Sequence, residues 1–177
     1  GRYYASSFAL SALQGDGARS FKDGLDCAGS MTHMKCPNVE WVELNFPILH
    51  LFRRQTKDAG GAGKFRGGVG AETAAILHKA PRDKIKVVAY GVAGLKNSGK
   101  GIFGGYPGAP SIIVLLERSN VRKQVAENQW PQQLEAVSGN PKLLPYADFD
   151  LRIDDLLYMR QASGGGYGDP LQRDPER

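Results

Sequence analysis

Cysteine is scarce in this chain: only Cys27 and Cys36 occur in 177 residues. Two thiols cannot build the disulfide framework that holds small secreted domains together, and in a chain of this size they are expected to be reduced. Long apolar runs are missing as well. No stretch approaches the ~18 residues a membrane helix needs, which excludes a membrane partner of that kind. The opening GRYYASSFALSALQGDG has a short apolar patch without a basic lead, so no secretion signal is read and a cytoplasmic setting is expected. Concentrated positive charge is also lacking. The net charge is +5, but the basic residues are dispersed, LFRRQTK and RSNVRK being the densest groups. No aromatics alternate with them as a single-strand binding face requires, so no nucleic-acid partner is expected.

What the chain has in excess is glycine, 23 of 177 residues, against an average near ~7%. The excess falls in three places: DAGGAGKFRGGVG (58–70), GLKNSGKGIFGGYPGAP (94–110) and ASGGGYGDP (162–170). Each cluster contains a large residue able to anchor a loop, among them Phe65, Phe103, Tyr106 and Tyr167. The clusters therefore read as ordered turns that need positive φ or close backbone approach, rather than as linkers.

Between the clusters the pattern is mainly strand. In VEWVELNFPILHLF the apolar residues Val42, Leu44, Phe46, Ile48 and Phe52 fall on even positions, with Pro47 pointing to an edge or a bulge. KIKVVAYGVA (84–93) and PSIIVLLER (110–118) read as core strands, and DFDLRIDDLLYM alternates with Phe149, Leu151 and Ile153 on its inner face. GAETAAILHKA (70–80) fits a strand or a short helix. NVRKQVAENQWPQQLEAV (120–137) is the best helical candidate, interrupted by Pro131. The expected fold is mainly β, antiparallel strands with Gly-rich loops and one or two short helices, in other words a β-rich α+β domain. Its expected parts are a Gly/Asp-rich leading segment (1–38), a β-rich core (39–161) and a C-terminal docking tail (162–177).

The run GLKNSGKG invites a phosphate-loop reading, with Gly99 and Lys100 in place. Gly101 stands where the magnesium-ligating hydroxyl belongs, and the following GIFGGYPGAP cannot start the helix such a loop needs. GGVGAET likewise lacks the third glycine of a dinucleotide fingerprint. Ser98, Ser111 and Ser163 show no G-x-S-x-G elbow, so nucleophilic hydrolase chemistry has no support.

Taken together and in order, GGAGKFRGGVG, GIFGGYPGAP and SGGGYGDPLQRDPE resemble the C-terminal part of the hydantoinase B/oxoprolinase family. Upstream, GDGARSFKDGLDCAGSMTHM is similar to the family's Gly/Asp-rich stretch ending in Thr-His-Met. The resemblance implies a subunit of a multisubunit, ATP-dependent enzyme: either a biotin-independent carboxylase of acetone or acetophenone, or a cyclic-amide hydrolase such as a hydantoinase or oxoprolinase. ATP and Mg are then expected on a partner, the hydantoinase A-type ATPase subunit, with a transition metal or Zn elsewhere in the complex and no biotin. The N-terminal portion of the same subunit type is a further implied partner, since the family's metal-binding His/Asp segment has no counterpart here. The chain is accordingly expected to be half of a split subunit or a piece of a longer one, inactive alone. After His33 the sequence reads MKCPNVEWVE, without the hydroxyls and amides that hydrolase members carry there, which favours a ketone over a cyclic amide as the small-molecule substrate. A non-catalytic scaffold module of such a complex is the alternative.

Three residues stand out as site candidates. The resemblance marks His33 in its Thr-His-Met segment as catalytic, orienting or protonating a bound oxygen. Arg66, inside KFRGG, reads either as an interface arginine or as a clamp for a carboxylate or phosphate of the substrate. Tyr106 is a packing anchor of its loop or a substrate contact beside it. Cys27, His33 and Cys36, with Asp26 nearby, form C-x5-H-x2-C, which matches no usual zinc spacing. His50 and His78 read as structural histidines.

Overall fold

The computed structural model describes residues 13–28, 36–89, 99–145 and 148–176. Its seven strands are β1 (Ile48–Gln55), β2 (Ala71–Leu77), β3 (Lys84–Val88), β4 (Ile112–Glu117), β5 (Asn140–Leu143), β6 (Asp148–Arg152) and β7 (Leu156–Arg160). Five form one antiparallel sheet in the order β1-β2-β7-β4-β5, and β3 pairs with β6 in a separate ribbon. Helices are short: α1 (Val39–Asn45), α2 (Val121–Ala126) and two 3-10 turns at Leu134–Ala136 and Pro170–Gln172. The mainly β, antiparallel expectation is met.

Alternation of side chains along the central strands divides the core in two. The register row Ile76, Leu156 and Leu116 faces one side, where it packs with Val121 of α2 and with Val137. The adjacent row Ala75, Leu157 and Leu115 faces the other, where Leu115 and Leu157 meet Leu151 of β6, Leu144 and Ala89. Leu156, Leu157 and Leu151 are almost wholly buried, and each such side chain contributes roughly 2 kcal/mol by leaving water. β2, left between strand and helix by its sequence, is a strand buried along its whole length.

Two sequence readings need correction. Residues 39–45 are helical rather than the first half of a strand. Asn38 supplies an N-cap, its side chain accepting a hydrogen bond from the Trp41 N–H at 3.2 Å, and this local bond outweighs the period-2 pattern. As a result Val42 is fully buried while Leu44, on the same nominal strand face, is 85% exposed. Pro47 then precedes β1, which is an edge strand with an irregularity between His50 and Phe52. The second correction concerns β3, which stands outside the main sheet and is exposed at alternate residues. Lys84 and Lys86 there meet Asp150 and Asp148 at 2.7 and 2.8 Å.

Residues 15–27, 59–70, 99–109 and 162–168 form a second body of structure with no regular helix or strand. Its segments run side by side and hydrogen-bond backbone to backbone: Gly61 N–H to Gly164 O, Gly164 N–H to Gly68 O, Gly68 N–H to Asp16 O, and Asp16 N–H to Leu25 O. On the other flank Tyr106 N–H donates to Ala62 O and Gly166 N–H to Tyr106 O. The segments lie so close that a Cβ on Gly67 would overlap the Gly164 carbonyl, and one on Gly105 would overlap that of Gly166. Two turns need φ beyond the reach of other residues, at Gly104 (+93°) and Gly168 (+75°).

A buried polar group ties three neighbouring strands of the main sheet, β1, β2 and β7, together. Glu72 and Tyr158 are both buried, and the Tyr158 hydroxyl donates to Glu72 Oε2 at 2.6 Å. Arg54, opposite Glu72 in register, donates to Oε1. Burial first, and then the Glu72 carboxylate, push the Tyr158 phenol above its ordinary range, so it stays a donor.

Three stability outcomes follow from this packing. Gly67→Ala is expected to cost about 3 kcal/mol, because backbone rather than side chain must move, lowering Tm by roughly 6–12 °C. Gly17→Ala, whose Cβ would meet nothing nearer than 4.0 Å, should stay within about 0.5 kcal/mol. Tyr158→Phe strips a buried carboxylate oxygen of its donor and should cost about 1–3 kcal/mol. Thermal and urea unfolding of the three variants checks each value.

Candidate functional site

The close-packed array brings Arg66 and the C-terminal turn together. Arg66 is followed by Gly67 and Gly68, whose backbones are engaged in the array, and its own side chain is exposed. Its backbone is fixed, with the N–H donating to Asp23 Oδ1 at 2.8 Å and the carbonyl accepting from Gly24 N–H at 2.8 Å. The guanidinium is nearly half exposed, with Nη2 3.9 Å from Asp26 Oδ2. Asp26 is otherwise occupied by the Val69 N–H at 2.7 Å.

Arg66 lines a shallow open cleft of about 250 Å³ with Asp58, Gly60, Ala62, Gly63, Pro170 and Arg173. The far wall is held by a two-pronged ion pair: Arg173 Nη1 and Nη2 lie 3.0 and 2.9 Å from the two oxygens of Asp23. Arg173 also donates to the Lys64 carbonyl at 3.3 Å. The Arg173 hydrogen bonds hold the Asp23 carboxyl below its usual range against the opposing effect of partial burial. Asp23 thus ties together three distant parts of the chain, the leading segment, the Arg66 strip and the C-terminal turn. Chemically, the cleft offers one guanidinium with weakly engaged donors, suited to a carboxylate or phosphate oxygen.

Tyr106 is placed differently from Arg66. It is 61% exposed and outside the cleft lining, although its N–H bonds Ala62 of the cleft wall at 2.7 Å. With Ile102, Phe103 and Leu171 it belongs to the exposed apolar residues of the glycine loops. His33 lies outside the described residues. Neither Cys27 nor Cys36 is disulfide-bonded, and burial raises the Cys27 thiol above its ordinary range. Among the described residues no group of three or more His, Cys, Asp or Glu could hold a metal ion. Lys100 leads into the glycine array, where Ile102 bridges to Tyr167, and no helix follows it before α2.

Sequence reasoning missed Asp23 and Arg173, and noted Asp26 only beside the Cys27, His33 and Cys36 spacing. The signal available was the run of acidic residues in FKDGLD facing the RDP of the tail, but nothing in the sequence says that positions 150 apart meet. It also set His50 aside. That ring is buried, between Glu43 of α1, whose Oε1 is 3.5 Å from Nδ1, and Arg53, whose Nη2 is 3.4 Å from Nε2.

Comparison with known proteins agrees with the order of the glycine motifs. A model of hydantoinase B/oxoprolinase matches residues 3–170. The chain is 29% identical to the acetophenone carboxylase delta subunit of Aromatoleum aromaticum, over 99% of this chain and 28% of that one. It is 29% identical to the acetone carboxylase alpha subunit of Xanthobacter autotrophicus, over 93% of this chain and 23% of that one. To the caprolactamase subunit beta of Pseudomonas jessenii it is 27% identical, over 96% of this chain and 27% of that one. It therefore spans about a quarter of the length of these relatives. The fold is similar to that of a nucleotide-free acetone carboxylase, with a TM-score of 0.70 at 24% identity over 93% of this chain and 24% of that one. It is also similar to the ATP-dependent caprolactamase of P. jessenii, with a TM-score of 0.62 at 21% identity over 93% of this chain and 26% of that one. With the family model covering nearly its whole length, the chain belongs to the hydantoinase B/oxoprolinase family.

Proposed function

We propose that this chain is part of the hydantoinase B-type subunit of an ATP-dependent, multisubunit carboxylase acting on a small ketone. The observation carrying this reading is the alignment of 99% of the chain with a subunit of acetophenone carboxylase, supported by that with acetone carboxylase. The residues after His33, MKCPNVEWVE, offer few groups to hydrogen-bond a cyclic amide, which weighs in the same direction. In this reading a hydantoinase A-type partner binds ATP and Mg and phosphorylates the substrate's oxygen. The N-terminal portion of the subunit type completes the site, with any metal held outside this chain. Arg66 holds a carboxylate or phosphate oxygen at the cleft, and His33 orients or protonates a bound oxygen. The alignment with a caprolactamase subunit supports a second reading, ATP-dependent hydrolysis of a cyclic amide by the same kind of complex.

The test is purification of the intact assembly with its companion chains, followed by two assays with ATP. These are incorporation of labelled bicarbonate into acetone or acetophenone, and ring opening of caprolactam, hydantoin or oxoproline. Carboxylation without ring opening is the expected outcome; ring opening alone assigns the hydrolase. In the active assembly, Arg66→Ala should lower kcat/KM roughly ten- to a hundredfold, the loss of one charge-assisted hydrogen bond of about 1.5–3 kcal/mol. His33→Ala should lower turnover with assembly intact. Unchanged rates in both variants would leave the chain a scaffold.

A further inference from the structure

Beneath α1, on the side of the main sheet that carries Thr73 and Ala75, the buried His50 lies between two part-buried charged groups that the proposed reaction does not use. Arg53 of β1 donates from Nη1 to the Pro37 carbonyl at 2.7 Å. This bond anchors the chain just before Asn38, which caps α1. The same guanidinium donates from Nη2 to His50 Nε2 at 3.4 Å. With Nε2 accepting in this way, His50 is neutral and carries its proton on Nδ1, which lies 3.5 Å from Glu43 Oε1 without a hydrogen-bond partner. Glu43 also accepts the His50 backbone N–H at 2.8 Å. Arg53 Nε is buried with no acceptor, so little else holds the guanidinium in this place.

We propose that Glu43, His50 and Arg53 form a proton-operated latch, in which protonation of His50 breaks the hold of Arg53 on Pro37 and loosens the segment leading into α1. A protonated ring has no lone pair for Arg53 and sets two cations 3.4 Å apart, in a place where burial weakens screening. Arg53 is the group that can leave, because its long side chain is part-exposed and can swing towards solvent. The charged group facing His50 from α1 is Glu43, and Arg53 faces it on its own strand. Ala75, its register partner on β2, does not titrate. Burial, and then the Arg53 charge, lower the His50 pKa despite the pull of Glu43. A group depressed in this way stabilises the closed latch fully above the ordinary histidine value of about 6.5, and that contribution is lost as pH falls below it. The segment released continues upstream through Cys36 towards His33. An effect on turnover rests on the function proposed for His33, whereas the latch does not.

Hydrogen exchange of the full chain, corrected for the intrinsic pH dependence of exchange, tests it at about pH 7.5 and about pH 5. Peptides covering 36–46 should exchange about tenfold faster at the lower pH, through local opening of this segment, while peptides from β2 stay protected. His50→Gln, whose amide oxygen can accept from Arg53 without titrating, should abolish the difference. The same response in His50→Gln, no response in the natural chain, or an equal rise across β2 would each overturn the latch. Should His50→Gln not fold, carbon-13 histidine NMR of the natural chain decides. The His50 titration midpoint must coincide with the midpoint of the exchange rise, and a separation of more than about one pH unit overturns the proposal.

Discussion

Everything about the candidate site depends on backbone meeting backbone without side chains between. The array formed by residues 15–27, 59–70, 99–109 and 162–168 is held by crosswise hydrogen bonds such as Gly61 N–H to Gly164 O and Gly166 N–H to Tyr106 O. A hydrogen-bonded backbone in this arrangement buries little apolar surface of its own. Its stability comes from satisfying peptide groups that would otherwise be buried unpaired, and the spacing this requires leaves no room for a Cβ at Gly67 or Gly105. The conventional sheet beside it is stabilised differently, by rows of Leu and Ile on both faces. Within that sheet Glu72, Tyr158 and Arg54 share a buried polar contact, and the Thr56 N–H, at the end of β1, donates to the Gly70 carbonyl of the array.

That architecture explains why the few side chains carried by the array are conspicuous. Where neighbours are glycines, an arginine or aromatic has no core to enter and is displayed. Arg66 extends to the cleft, while Phe103, held at φ 52°, meets Tyr167 in a tilted contact with 5.1 Å between ring centres. Asp23 and Arg173 then turn the loose end of the chain into a wall of the cleft. A rigid backbone platform with a small number of displayed charged groups is a sound base for positioning a ligand or a neighbouring chain, since little conformational entropy remains to be lost there.

The chain as given spans about a quarter of the relatives it matches, which bears on how the cleft is understood. It is shallow and open, and one weakly engaged arginine cannot by itself enclose a substrate. In the proposed assembly the remaining walls come from companion chains, and this one contributes a fixed anion-holding group and a firmly built surface. The acidic side chains around the cleft are largely taken up internally, Asp23 by Arg173 and Asp26 by the Val69 N–H.

By itself the sequence determined the class of fold and the family, because period-2 runs such as SIIVLL and the three glycine motifs are local signals that survive without coordinates. It also indicated that no helix follows GLKNSGKG, since the glycines and prolines downstream disfavour one, and none does before α2. It misread 39–45, where one side-chain cap bond at Asn38 outweighs hydrophobic alternation. Only the tertiary structure decided that Arg66 shares a cleft with Arg173 while Tyr106 stands apart, and that His50 lies within reach of Arg53 and Glu43. The physical reason is distance along the chain: Asp23 and Arg173 lie 150 residues apart. Alternation, capping and turn chemistry act over a few residues, whereas the meeting of remote segments is fixed by how the sheet and the glycine array close upon one another.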